Sequence, residues 1–212
     1  MKLVTFYNAI AIVFLTIFFV WLSGSVTNSG TEVKTYHREQ PDKIYERYFI
    51  KLPDTLKHGT YKSFYLTGEC FEESIYQKGK LNGQRVLYHK NGKPMVKENH
   101  RNGVFHGLYQ TFYENGILDV EGYYIDGKMQ NQWRRHYPDG SLMEIVSFIN
   151  NLENGPFTEF YPNGQLKAKG NYLNGDAEHG LLELFDSTGI LYKKMNCTEG
   201  ICHTIWEKEK AK

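Results

Sequence analysis

No charge of either sign is in surplus in this sequence: 25 lysines and arginines stand against 24 aspartates and glutamates. That balance removes the electrostatic case for nucleic acid, which needs a clustered basic surface. Proline is scarce, at six in 212 residues, and no long Ser/Gly tract occurs. Extended disorder is thereby confined to the two ends. No serine sits on a nucleophile elbow and no phosphate loop is present, so an enzyme reading has no motif to rest on. The three cysteines, Cys70, Cys197 and Cys202, form no C-x-x-C pair, which argues against a redox motif. None lies near the N-terminus, which excludes a lipid-modified N-terminal cysteine.

Long apolar runs are also missing, with one exception. It goes from Ala9 to Leu22, broken only by Thr16, after Lys2 and before Ser23-Gly24-Ser25. These are the charged, apolar and small-residue regions of an export signal. Residues 1–25 are therefore read as a hydrophobic helix with two open roles. It is a cleaved signal, with Ser23 and Ser25 before the cut, or a retained anchor with Trp21 at the membrane interface. Either way Lys2 stays inside and the rest of the chain lies outside the cytoplasm. Residues 26–43 read as a polar linker, and 44–57 as a capping strand or half repeat with Leu52 in the frame of Tyr76. Residues 207–212 read as a charged tail.

What abounds is tyrosine, phenylalanine and glycine, at 16, 13 and 20 residues. The glycines are periodic. Gly68, Gly92, Gly116, Gly140, Gly164 and Gly189 stand 24, 24, 24, 24 and 25 residues apart. A second ladder runs Gly59, Gly83, Gly107, Gly155 and Gly180, with Asn131–Gln132 filling a missing rung. A third runs Gly79, Gly103, Gly127, Asn151, Gly175 and Gly200. Three ladders in one frame mean six copies of one unit over residues 58–206, a repeat architecture.

Each central glycine follows Asn91, Asn115, Asp139 or Asn163, with Thr67 and Thr188 in the first and last units. Such dipeptides between apolar runs predict type I′ hairpin tips at Gly68, Gly92, Gly116, Gly140, Gly164 and Gly189. The run from the third glycine to the next first glycine predicts a wider turn. Aromatic columns precede the tip, such as Tyr61, Arg85, Tyr109, Trp133, Phe157 and Leu182. After the tip, Tyr76, His100, Tyr124, Phe148, Tyr172 and Cys197 share a face with Val96, Val120, Gly122, Ala168 and Gly170. Glu73, Lys97, Glu121, Lys169 and Lys194 take the opposite, wet face. The expected fold is all-β: an elongated single-layer antiparallel meander of about six β-hairpin repeats, with stacked aromatics as its ridge and the N-terminal helix outside it. Repeat four, lacking two glycines, is the expected weak point or bend.

The pattern G-x-aromatic-x-x-F-Y-x-N-G-x-L resembles the MORN repeats, most closely the bacterial MORN-variant repeats. Gly155-Pro-Phe-Thr-Glu-Phe-Tyr-Pro-Asn-Gly164-Gln-Leu and Gly107-Leu-Tyr-Gln-Thr-Phe-Tyr-Glu-Asn-Gly116-Ile-Leu are the best copies, and the likeness covers residues 58–203. It implies a hairpin array associated with protein assembly and lipid contact. Bacterial members are often labelled YwqK-family antitoxins. The departures are the export segment, the missing glycines of repeat four, and Cys, Asp and Leu in the aromatic columns at the ends.

Cys197 and Cys202 flank the last wide turn. A bridge between facing strands is the favoured reading in an oxidising compartment, with two gap-filling free thiols as the rival. Cys70 reads as a packed free thiol. Of the eight histidines, His58, His106 and His179 share one turn slot and His89 and His136 replace aromatics in their columns, so neither metal nor cofactor is expected. Glu72 and Glu73 point to opposite faces of one strand and make no acid/base dyad. Most aromatics read as core. Phe71, Tyr123 and Tyr192 on the polar face, with Phe105 in a wide turn, are the candidate contact residues. The expected function is a non-enzymatic scaffold for a protein partner in the cell envelope. Membrane contact is expected through residues 1–25. The alternatives are an antitoxin or immunity-type sequestering protein and, more weakly, an enzyme or metal protein.

Overall fold

In the computed structural model of the protein, residues 30–209 are described, and every regular element among them is a strand. The chain begins with β1 (Thr31–Tyr36), β2 (Ile44–Lys51), β3 (Leu56–Phe64) and β4 (Cys70–Gln77). It continues through β5 (Lys80–Tyr88), β6 (Pro94–Arg101), the two-residue β7 (Val104–Phe105), β8 (Gly107–Phe112) and β9 (Leu118–Ile125). Then come β10 (Lys128–His136), β11 (Leu142–Ile149), β12 (Leu152–Phe160) and β13 (Leu166–Tyr172). The last are β14 (Gly180–Phe185), β15 (Leu191–Thr198) and β16 (Ile201–Glu207). All pair antiparallel with their sequence neighbours in one open sheet, except that β7 branches off β6 and β8 continues the path. The expected meander is therefore present. The expected N-terminal helix lies outside the described residues.

The ends differ from expectation. Thr31–Tyr36, read as linker, is a strand paired with β2 from Thr31↔Ile50 to Tyr36↔Ile44. Its alternation of Val33 and Thr35 suits an edge strand despite its polarity. Ile50, not Leu52, takes the place of Tyr76: Ile50 pairs with Lys57 as Tyr76 pairs with Leu81. The turn between Lys51 and Leu56 is two residues longer than that between Gln77 and Lys80 and moves the frame. At the other end Glu207 closes β16, and Lys208 donates its backbone N–H to Tyr192 O.

The two turn types are exchanged relative to expectation. At Gly92 the Gly92 N–H reaches His89 O at 2.9 Å and His89 N–H reaches Lys93 O at 2.9 Å. Gly92 has φ 78°, whereas Asn91 keeps a negative φ. This is a type I turn closed by a left-handed glycine, a three-residue loop. Asn91 is selected for its side chain: Oδ1 accepts from Lys93 N–H at 2.9 Å, and Nδ2 donates to Glu114 O on the next tip at 2.8 Å. The I′ turns lie on the third ladder, where Lys78-Gly79, Asn102-Gly103, Asp126-Gly127 and Asn150-Asn151 all have positive φ. The segment expected as a wide turn is mostly strand, and it meets its neighbour at a register shift.

Successive repeats are hooked together. Tyr65, Tyr113, Tyr137 and Tyr161 donate their hydroxyls to Tyr88 O, His136 O, Phe160 O and Phe185 O, at 2.7–2.9 Å, each on the next tip. His89 does the same through Nε2 to Phe112 O at 3.1 Å. Repeat four is not a break. Asn131 and Asn151 adopt φ of 63° and 72°, conformations asparagine tolerates better than other non-glycine residues. The narrow junctions are elsewhere. β6 and β8 share only Val96↔Thr111 and Lys97↔Gln110, and β13 and β14 only Ala168↔Leu184 and Lys169↔Glu183, with the isolated bridge Tyr172↔Glu178 ahead of β14.

Candidate binding face

The sheet has an inner face, where most of the buried side chains lie, and an outer face, where Val86 is buried between Glu73 and Lys97. Tyr61, Ser63, Glu72, Ser74, Glu98, His100, Trp133, Val146, Phe157, Ala168 and Cys197 are buried on the inner one. Its aromatic ridge runs through Tyr48, Tyr61 and Tyr76, stops at Arg85, and resumes from His100 to Phe148. It ends in the stacked pair Phe157–Tyr172, with ring centroids 4.3 Å apart.

The interruption is a charged network. Arg85 stands in the aromatic column. Its Nε and Nη2 reach Glu72 Oε1 and Oε2 at 2.8 and 3.1 Å, a bidentate pair. Its Nη1 reaches Glu98 Oε1 at 2.9 Å, and His100 Nε2 lies 3.0 Å from the same oxygen. Hydrogen bonds to Glu72 hold the Arg85 guanidinium protonated more firmly than usual. Tyr61 donates to Glu46 Oε1 at 2.7 Å, and its phenol is pushed up by burial and then by that bond. Lys57 sits over the Tyr61 and Tyr48 rings at 4.2 and 4.6 Å.

Between β9 and β12 the inner face changes character. A cavity of about 150 Å³ is bordered there by Trp133, Glu144, Val146, Phe148 and Glu153, with Arg134 and Arg135 on its β10 side. Glu144 opposes Glu159 directly across β11 and β12. Lys167 engages Glu159 at 2.6 Å. Burial, then Glu159 and Glu153, hold the Glu144 carboxyl above the usual carboxylate range; burial, then Asp176, does so for Glu153. Tyr172 is pushed up by burial first, then by Glu153, Glu144 and Glu159. The Trp133 indole N–H is buried without a hydrogen-bond partner.

The outer face carries a ladder of ion pairs, including Lys62–Glu73, and Lys169 and Lys194 on Glu183 at 2.8 and 2.9 Å. The two bonds to Glu183 lower its carboxyl. Along the rim of I′ turns this face exposes apolar side chains between the charges of Arg101 and Lys128: Ile125, Ile149 and Leu152 are 47%, 51% and 50% exposed, with Val104, Tyr123 and Leu173 beside them. Of the expected contact residues, Tyr123 and Tyr192 lie exposed on the outer face. Phe71 is half-buried, with its ring on Tyr65 at 5.2 Å. Phe105 is not in a turn. It lies in β7, on the inner face, 4.6 Å from the His100 ring and 5.0 Å from Tyr124. The structure does not bring these four together, since they sit on β4, β7, β9 and β15. The six tip glycines share one rim.

Cys197 faces Cys202 across β15 and β16, and the two are joined by a disulfide; Cys70 is free, and burial pushes its thiol up. Glu72 and Glu73 do split between the faces, Glu72 meeting Arg85 and Glu73 meeting Lys62 and Tyr88. Among the described residues no three His, Cys, Asp or Glu side chains group as a metal site. The inner carboxylates Glu98, Glu144 and Glu153 were missed from the sequence. For Glu144 the signal was there: it shares with Glu72 the column of Val96, Val120 and Ala168.

A search of the curated proteins gave no match. Among solved structures, a porin-like protein from Bacteroides uniformis ATCC 8492 is similar at 8% identity, over 82% of this chain and 92% of that chain. Its TM-score of 0.20 is too low to carry any inference. The family described as MORN repeat variant matches residues 81–102, 105–126 and 153–174. Matched in phase with the glycine ladders, these three copies show that the chain carries MORN repeats of the variant type.

Proposed function

We propose that the protein is a non-enzymatic scaffold that holds a protein partner on its repeat sheet, outside the cytoplasm. The observation that carries this is the outer apolar rim. Val104, Tyr123, Ile125, Ile149, Leu152 and Leu173 belong to successive repeats and remain exposed in one stripe. Repeated exposed apolar side chains of this kind, here interspersed with Arg101 and Lys128, mark interaction sites. The export reading is supported by residues 1–25 and by the Cys197–Cys202 bridge, which suits an oxidising compartment.

The test is capture of partners from envelope extracts by the full chain, against an Ile149→Asp/Leu152→Asp variant. The variant is expected to lose the partner while keeping its circular dichroism spectrum. An unchanged partner list would sink the rim as the contact surface. Fractionation addresses the place of action. A product found only in the cytoplasm overturns export and leaves the antitoxin reading, in which the same sheet sequesters a cytoplasmic partner.

A further inference from the structure

The inner face treats its carboxylates in two ways. Glu72 is held bidentately by Arg85, which also reaches Glu98. Glu144 occupies the column of Glu72, but Trp133 and Phe157 stand where Arg85 does. Similarly, Lys57 lays its ammonium over Tyr61 and Tyr48, whereas its column holds Glu153 two strand pairs before the end of the array. The first half of the sheet thus supplies its own cations, and repeats four and five replace both with aromatic or acidic residues.

The nearest cations, Arg135 opposite Glu144 across β10 and β11 and Lys167, are drawn to other carboxylates. Neither Glu144 nor Glu153 has a hydrogen bond or ion pair among the described residues. Arg135 acts on Glu144 only through space and lies 3.6 Å from Asp119, while Lys167 is engaged by Glu159. Half-buried carboxylates without a partner are costly. The cavity beside them has Trp133 and Phe148 as aromatic walls, their ring centroids 6.0 Å apart. Trp133 is 7% exposed, and its N–H finds no acceptor. Paired carboxylates, aromatic faces and a free donor fit one kind of ligand group: a planar cation carried beside a carbonyl.

We infer that this cavity receives an arginine side chain from an extended segment of a partner protein. Its guanidinium lies between Glu144 and Glu153 against Trp133, and a main-chain carbonyl of the segment accepts the indole N–H. The ligand supplies from outside what Arg85 and Lys57 supply from within. This inference rests on the scaffold reading, whose partner it describes.

The test is calorimetric titration of the full chain with a blocked Gly-Gly-Arg-Gly-Gly peptide and with its citrulline counterpart, which keeps the shape and removes the charge. The arginine peptide should bind at least about tenfold more tightly, and should raise the melting temperature. Glu144→Gln/Glu153→Gln should abolish the discrimination, and Trp133→Phe should weaken binding of both peptides. In the unchanged chain the discrimination should also vanish once the carboxyls are protonated in acid, a check that requires no variant. Equal binding of the two peptides, binding of neither, or discrimination that survives in acid or in the double variant overturns the inference. A double variant that loses the peptide but still captures the envelope partner sinks the arginine anchor alone and leaves the scaffold reading standing.

Discussion

At the scale of single residues, this sheet is decided by what fits beneath its aromatics. Neither Gly122 nor Gly170 has a positive φ, so both are required for space rather than for conformation. A methyl group on Gly122 would overlap the Trp133 ring, and one on Gly170 would lie 2.8 Å from Phe157 Cε1. Gly122→Ala should therefore cost about 1–3 kcal/mol in urea unfolding, because the buried indole must move. Glu144→Gln should do the opposite. A carboxyl held above its unfolded value binds its proton longer in the folded state, so it lowers stability as pH rises through that interval. The substitution also removes the like charge facing Glu159. It should gain a few tenths to about 1 kcal/mol near neutral pH. The gain should disappear at about pH 4 and below, where the parent carboxyl is already protonated.

At the scale of elements, the meander was legible and the turns only half so. The 24-residue frame places strands and connections because each glycine ladder marks a fixed point of the unit. It does not say which connection is tighter, since Asn-Gly and Asp-Gly occur on both ladders, at Asn91-Gly92 and at Asn102-Gly103 alike. Two consecutive positive φ values at the second site make it the I′ turn. The parity of inner and outer residues is broken again at the second ladder, where three residues from Asn131 to Trp133 oppose Gly122 alone. Phe105 was placed in a turn for this reason, and the unpaired Glu153 went unseen. Beyond the last I′ turn, β16 is an edge strand pinned by Cys197–Cys202. Reduction should remove about 2 kcal/mol of loop-closure stabilisation, and amide exchange should show β16 fraying first.

At the scale of the whole molecule, each repeat touches only its neighbours, so the array is as cooperative as its narrowest junctions allow. The junction between β13 and β14 has two paired positions, Ala168↔Leu184 and Lys169↔Glu183. The one between β11 and β12 has five, from Glu144↔Glu159 to Ile149↔Leu152. A tyrosine hook crosses each: Tyr161 to Phe185 O over the narrow junction and Tyr137 to Phe160 O over the broad one, both at 2.9 Å. Either Tyr→Phe change removes one hydrogen bond of about 1 kcal/mol. The consequences should nevertheless differ. At the broad junction the ladder persists, so Tyr137→Phe should lower protection evenly across the sheet. At the narrow one the short ladder is backed by Asn163 Nδ2 to Ser187 O at 2.7 Å and Lys169 on Glu183, and at its far end by the Tyr172↔Glu178 bridge with His179 N–H to Asn171 O at 2.8 Å and Leu173 N–H to Ala177 O at 3.0 Å. Tyr161→Phe should therefore release β14–β16 as a separate unit, with amide exchange in 180–207 quickening while 107–172 keeps its parent rates. Equal, sheet-wide effects from the two substitutions would mean that the array unfolds as one block and that the short ladder is no boundary.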